Sequence, residues 1–351
     1  MNKFKAFLKR KDIVFSAKRY GIDAMSAMAQ GLFCSLLIGT IINTLGTQFG
    51  LPFLNEIGGF ATSMSGPAMA CAIGYALKAP PLVLYSLLAV GASANSFGGA
   101  GGPLAVLFIA IIAAELGKAV SKETRIDLIV TPFVTIFAGV GLSALIAPYI
   151  GQAASALGRL IMQATELQPL LMGVIVSVLV GIALTLPISS AAICAALSLT
   201  GLAGGAAVAG CCAQMIGFAV MSFRENGIGG LLSQGIGTSM LQMGNIVKNP
   251  RIWIPPILTS AITGPLATCL FRLEMNGAPI SSGMGTCGLV GQIGVYSGWV
   301  NDIAAGTKTA ITAMDWAGLI LICFVLPAAL TWCFGLLLRK IGWIRENDLK
   351  L

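Results

Sequence analysis

The residues best equipped for chemistry lie close together in "SFRENGIGGLLSQGIGTSMLQMGNIVKNPRIWIPP", residues 222–256. One carboxylate, Glu225, is followed by the amides Asn226, Gln234, Gln242 and Asn245. A carboxylate accepts hydrogen bonds from hydroxyl groups and can take a proton from one of them. Amides donate and accept together, so they hold a neutral polyol without committing charge. Glu225 is thus the candidate catalytic residue, and Asn226, Gln234, Gln242 and Asn245 are candidate substrate-binding residues. Gly227, just past the carboxylate, joins them because it frees backbone for a ligand to approach. An ion pair between Glu225 and Arg224 at a membrane edge is the plain alternative.

Other chemistries are missing their residues. The 351-residue chain has no histidine, which removes His-based catalysis and the commonest metal ligand. No metal and no cofactor are expected. "GIGG" at 227–230 lacks the third glycine and the preceding strand of a dinucleotide fingerprint. The nine cysteines are scattered through apolar segments without a C-x-x-C, and Cys211 and Cys212 are adjacent. All of them read as small apolar packing residues.

The elements that must carry these residues are membrane helices. The chain is 56% hydrophobic and 10% charged, whereas a soluble domain is roughly 25% charged. Apolar runs near the length a bilayer core demands fall at 24–49, 57–77, 81–97, 103–119, 128–149, 169–187, 190–206, 207–223, 252–271 and 314–338. The expected fold is therefore an all-α integral membrane protein with about ten transmembrane helices. Within 187–223 the apolar pattern leaves open whether there are two spans or a hairpin.

Charge orients the chain. Residues 1–22 hold seven Lys or Arg against Asp12, and residues 339–351 hold four against two acids, which accounts for the net +8. Basic flanks mark the cytoplasmic side, so the N-terminal arm (1–22) and the tail (339–351) are both expected there. The arm suits anionic membrane lipids rather than nucleic acid. The first long apolar run starts near Asp23, too far in and too long for a cleavable signal. Most acids lie near predicted helix ends, and Glu115 is placed to pair with Lys118 one turn on.

On this topology residues 225–247 leave the cytoplasmic face and return to it. Non-helical backbone at membrane depth is tolerated only when buried in protein or lining a cavity, so the stretch reads as a re-entrant hairpin. A second one is "NGAPISSGMGTCGLVGQIGVYSGWVND", 276–302, with Gly285, Gly288, Gly291, Gly294 and Gly298 in a stripe. Such a stripe lets another backbone press close, and Gly285 becomes a further substrate-binding candidate. The two hairpins, entering from opposite faces, would meet near the midplane. Tight helix packing with no ligand is the alternative. "GASANSFGGAGGP" at 91–103 is either another broken helix end or a tight turn.

Three longer stretches carry a family resemblance: "GGAGGPLAVLFIAIIAAELGKAVSKE" (98–123), "LIVTPFVTIFAGVGLSALIAPYIGQAASALGRLI" (128–161) and "LLMGVIVSVLVGIALTLPISSAAICAAL" (170–197). In order and spacing they resemble the membrane subunit IIC of bacterial sugar phosphotransferase systems, especially the compact family that includes the perfringolysin O regulator membrane proteins. The likeness covers roughly residues 20–340 and rests on hydropathy and Gly/Pro placement. It implies a multi-pass protein of the bacterial inner membrane and a homodimer. Residues 23–167 would be the dimerisation half and 168–338 the substrate-binding half of one membrane domain. It also implies that a hairpin glutamate, matched here to Glu225, binds the sugar hydroxyl to be phosphorylated. The phosphate would come from a separate cytosolic IIB subunit, since no IIB domain is fused. The chain departs from the pattern in lacking histidine and in having "LTLPISSA" at 184–191, where fructose-type subunits have an acidic, Gly-Gly-Pro-containing motif.

The expected function is thus sugar or polyol translocation, with phosphorylation depending on IIB. Two other classes fit the same residues. An ion- or proton-coupled transporter of a small polar solute would ignore phosphoenolpyruvate. A membrane regulator or sensor would work through a partner at the basic arm.

Overall fold

Helices account for the whole secondary structure of the computed structural model, which describes residues 3–351; among the described residues there is no strand, only an antiparallel bridge between Gly201 and Met275. Six helical runs among the described residues are long and apolar enough to cross a membrane: Arg19–Thr47, Pro81–Val120, Asp127–Thr165, Gly201–Met221, Pro250–Leu270 and Ala313–Lys340. The chain is a multi-pass membrane protein. It divides into two compact units, Met1–Ala153 and Ala154–Leu351.

The first unit holds α1 (Lys3–Arg10), α2 (Ala24–Leu32), α3 (Ile38–Phe49), α4 (Pro52–Ser63), α5 (Ser65–Ala76), α6 (Pro81–Gly98) and α7 (Gly102–Val120), and α8 (Asp127–Thr165) begins in it. The expected spans 24–49, 81–97, 103–119 and 128–149 coincide with the apolar runs Arg19–Thr47, Pro81–Val120 and Asp127–Thr165, whereas the expected span 57–77 is divided between α4 and α5. Pro52, Pro81 and Pro103 each stand in a helix's first turn, where the missing N–H costs nothing. The glycine-rich patch at 91–103 is the end of α6, a tight turn at Gly99–Gly101 and the start of α7; Gly99 has φ 51°, and α6 and α7 pack on each other. The Glu115–Lys118 pair forms at 2.9 Å.

The second unit holds α9 (Pro169–Thr185), α10 (Ser190–Ala196), α11 (Gly201–Met221), α12 (Phe223–Leu232), α13 (Met243–Lys248), α14 (Ile254–Pro265), α15 (Val290–Ala304), α16 (Ala313–Ile320) and α17 (Leu326–Lys340). α11 is its axis, touching α9, α14 and α17. Its run of Gly, Ala and Cys lets neighbours approach closely. A Cβ on Gly210, for instance, would overlap the carbonyl of Ser177 on α9.

The expected spans 190–206 and 207–223 need correction. Ser198 and Gly201 adopt left-handed φ of 49° and 63°, so the run breaks there into the seven-residue α10 and one long helix, α11. α9 and α11 run in the same direction, because Val180 meets Cys211 and Thr185 meets Gln214. The chain between them must return to its starting level. It stops at Pro187, which disfavours helix in the residue before it, and comes back through α10.

Candidate functional site

The polar hairpin of the second unit is built as a broken, folded-back element. α12 is kinked at Gly227, whose φ 58° and ψ −154° lie in a region essentially reserved for glycine. A π-helical turn (Ser233–Gly237) and an extended Thr238 reverse the chain. The return leg runs through a 3-10 turn (Ser239–Gln242) and α13 to Lys248. Asn249 then accepts from Arg251 N–H and starts the next helical run.

Between the two legs the amides form a continuous chain. Gln234 donates from Nε2 to Ser222 Oγ at 2.8 Å and to the Gly230 carbonyl at 2.9 Å. Its own oxygen accepts from Gln242 Nε2 at 2.9 Å, and the Gln242 oxygen accepts from Asn245 Nδ2 at 2.9 Å. Lys248 closes the series on Asn245 Oδ1 at 3.3 Å. Gln234 and Gln242 are fully buried. Linked amides in a low-dielectric interior polarise one another, so the hairpin presents an ordered row of neutral donors and acceptors.

The spare donors of this row point at one segment. Asn226 Nδ2 and Gln242 Nε2 both donate to the Leu349 carbonyl, at 2.7 and 2.9 Å, and Asn245 Nδ2 donates to the Lys350 carbonyl at 2.8 Å. Leu351 N–H returns a bond to Asn226 Oδ1 at 2.9 Å. Leu349 is completely buried. Asn249 adds bonds to Asp348 and to the Trp343 carbonyl, and Arg251 lies over the Trp343 ring. The final residues therefore occupy the acceptor positions of the site.

Glu225 pairs with Arg339 of α17 at 2.6 Å, not with Arg224. Its side chain is only 6% exposed, and among the described residues Oε2 is buried without a hydrogen-bond partner. A desolvated carboxylate oxygen left free is costly and is ready to accept from a hydroxyl.

Gly285 lies apart from the amide row, on the second hairpin. Its extended leg is bonded to Gly201 through the Met275 main chain and Asn276 Oδ1. Gly285, at φ 52°, faces α11 so closely that a Cβ would stand 2.6 Å from that of Cys211. The helical leg, α15, folds back on the extended leg, with Gly294 against Gly277 and Gly298 against Asn276. The glycine stripe thus serves the hairpin's own closure. The two hairpins do touch: the Ser233–Gly237 turn lies against the Cys287–Leu289 turn.

Sequence reasoning missed a second polar cluster where the first hairpin's tip meets α11. Thr185 Oγ1 lies 2.8 Å from Ser239 Oγ and donates to Gln214 Oε1 at 3.2 Å. Trp253 Nε1 donates to the same oxygen at 2.8 Å, and Gln214 Nε2 reaches Ser260 Oγ at 3.4 Å. The signal was present: Gln214 is the lone amide in an otherwise apolar helix, where a polar group needs partners.

The profile of the family described as "Phosphotransferase system, EIIC" matches residues 22–351. No curated protein and no solved structure is matched by the chain.

Proposed function

We propose that this chain, which belongs to the EIIC family of the phosphotransferase system, carries a sugar or polyol across the bacterial inner membrane through the hairpin site of its second unit. The observation that carries this reading is the convergence of Asn226, Gln242 and Asn245 on one segment, with Asn226 next in sequence to Glu225, whose second oxygen has no hydrogen-bond partner among the described residues. Three neutral donors and one unpartnered acceptor match the alternating hydroxyls of a polyol. The two tail carbonyls held there stand where hydroxyl oxygens would accept the same bonds. Gln234 supports the row from behind, and Gly227 aims Asn226 into it.

In phosphorylation, Glu225 Oε2 takes the proton of the bound hydroxyl as its oxygen attacks phosphorus. The bond from phosphorus to a separate cytosolic IIB chain breaks, and the phosphate leaves with the sugar. Arg339 holds the other carboxylate oxygen and so fixes the base. The tail must withdraw for a sugar to take its place.

The fold supports eight membrane crossings rather than ten, with three elements that enter and return: α9 with α10, the hairpin at 223–248, and the hairpin at 276–304. An even number keeps the arm and the tail on one face, in agreement with their basic charge. A homodimer through residues 23–167 completes the proposal, with 168–338 carrying the substrate.

The test is a thermal-stability screen of the purified protein against sugars, sugar phosphates and polyols, run beside Glu225→Gln. A ligand present at 100 times its dissociation constant stabilises by about 2.7 kcal/mol. A sugar that stabilises the wild type and not the variant supports the site. Uptake in cells that collapses with the membrane potential and ignores phosphoenolpyruvate would instead identify an ion-coupled transporter.

A further inference from the structure

We propose that the first unit holds a binding site for a phosphate-bearing anion, in the basic cavity between its N-terminal arm and the ends of α5 and α7. The cavity measures about 350 Å³, and five cations and two carboxylates line it. Basic pockets of this kind at a membrane surface hold anionic headgroups.

The charges do not cancel locally. Asp12 is paired with Arg19, and Arg10 and Lys11 share the one carboxylate of Glu123. Lys118 is 1% exposed, and its ammonium is engaged by Glu115 and by the carbonyls of Asp12 and Leu77. Among the described residues, Lys78 and Lys122 make no ion pair and no side-chain hydrogen bond. Lys122 engages Asp127 only through its main-chain N–H.

Helix ends attract cations, so a dipole role must be weighed first. It accounts for Lys118 and Arg19, which bond the Leu77 carbonyl behind α5, and for Lys11, which bonds the Ser121 carbonyl behind α7. Among the described residues the side chains of Lys78 and Lys122 bond no carbonyl, so neither ammonium is held in place by a helix end.

The backbone adds an independent argument. Lys78 and Lys122 sit just past the ends of α5 and α7 with φ of 57° and 60°. Glycine is the residue that ends helices in this conformation without penalty. Asp12, on the same cavity, has φ 52°. Three residues in a conformation unfavourable for side chains border one cavity, and strain of this kind collects at functional sites. Lysine stands at both helix ends where glycine would be more stable, and the two free ammonium groups flank the cavity from separate helices. An anion between them, with the shared Arg10–Lys11 pair as third contact, uses each unpaired charge.

The phosphate could belong to a lipid headgroup or be free in solution, and the experiment separates these. The full-length protein is purified in neutral detergent and its unfolding midpoint followed with inorganic phosphate, with glycerol 3-phosphate, and with chloride at matched ionic strength. A parallel arm measures binding to phosphatidylcholine vesicles with and without phosphatidylglycerol. The variant is Lys78→Gly with Lys122→Gly, and Lys78→Asn with Lys122→Asn serves if the first does not fold. Both replacements tolerate the left-handed backbone, so the ligand-free midpoint should stay level or rise. The apparent affinity for the anion should fall about twenty-fivefold, from roughly fivefold for each of the two lysines. A response to phosphate alone identifies a free anion, and a response confined to phosphatidylglycerol identifies a headgroup. No response beyond chloride and neutral lipid, or an undiminished one in the variants, overturns the proposal.

Discussion

Glu225 and Arg339 stand 2.6 Å apart, joining the start of the amide hairpin to the end of α17, while the second oxygen of Glu225 is buried and free. Breaking a buried pair from one side leaves an uncompensated charge and costs about 3–5 kcal/mol. Arg339→Leu should therefore lower thermal stability more than Glu225→Gln, which keeps a neutral acceptor. The double variant should recover part of the loss. Equal effects of the two single changes would mean that the pair is solvated.

The tail predicts a trade between stability and access. Leu349→Ala removes a fully buried side chain and should cost about 2–3 kcal/mol, within the range for buried leucines. Removing residues 345–351 frees the donors of Asn226, Gln242 and Asn245. If those donors bind substrate, the shortened protein binds the stabilising sugar more tightly. A shortened protein with weaker sugar binding would make the tail a part of the site instead of its occupant.

Gln214 of α11 is linked to the hairpin tip through Thr185, which bonds Ser239. Gln214→Leu leaves Trp253 Nε1 without its acceptor, while Thr185 Oγ1 keeps Ser239 and the Gly181 carbonyl, a loss of about 1–2 kcal/mol. Unfolding of the detergent-solubilised protein gives the size of this effect. Uptake should fall further than stability, because the hairpin loses its fixed depth.

Gly285→Ala tests whether that glycine is required for packing. Its φ of 52° and the 2.6 Å approach to Cys211 predict a loss of at least about 2 kcal/mol, from backbone strain together with overpacking. Gly229, on the first hairpin, has open space around it and no positive φ. Gly229→Ala should leave the midpoint within about 0.5 kcal/mol of wild type, as surface substitutions do.

Acid should release the N-terminal arm. The hydrogen bond from Arg19 holds the Asp12 carboxyl below its ordinary range, and Lys11, with Arg10, does the same for Glu123. A depressed folded pKa means that docking is at full strength above the ordinary carboxylate range and is lost as pH falls through the lowered value. The arm should stay docked at pH 5 and loosen only below about pH 4. Peptic cleavage within residues 3–15, followed down the pH scale, reports this. A transition already complete at pH 5 would contradict the pairing.

Much of this was legible before any coordinates. The spans at 24–49, 81–97, 103–119 and 128–149 follow from apolar length, with proline at the starts of α6 and α7. Both broken hairpins follow from glycine density in runs too polar to cross. Gln234, Gln242 and Asn245 form one connected row, as their common chemistry suggested. The division of 187–223 was not legible, because its break lies in the left-handed backbone of Ser198 and Gly201 and not in hydropathy. The partner of Glu225 was also hidden: the nearest arginine in sequence is Arg224, but α17 delivers Arg339 from 114 positions away.

Composition and patterning by themselves determined that this is a helical membrane protein with basic ends and a neutral polar hairpin. Those properties depend on transfer of side chains between water and an apolar medium, which each residue carries with it. Only the tertiary structure decided what each polar group meets. The tail on Asn226, the unpaired oxygen of Glu225, the junction at Gln214 and the two unpartnered lysines all depend on which distant backbone arrives beside them. Main-chain carbonyls such as those of Leu349 and Lys350 are present in every residue, so no pattern of residue types could have pointed to them.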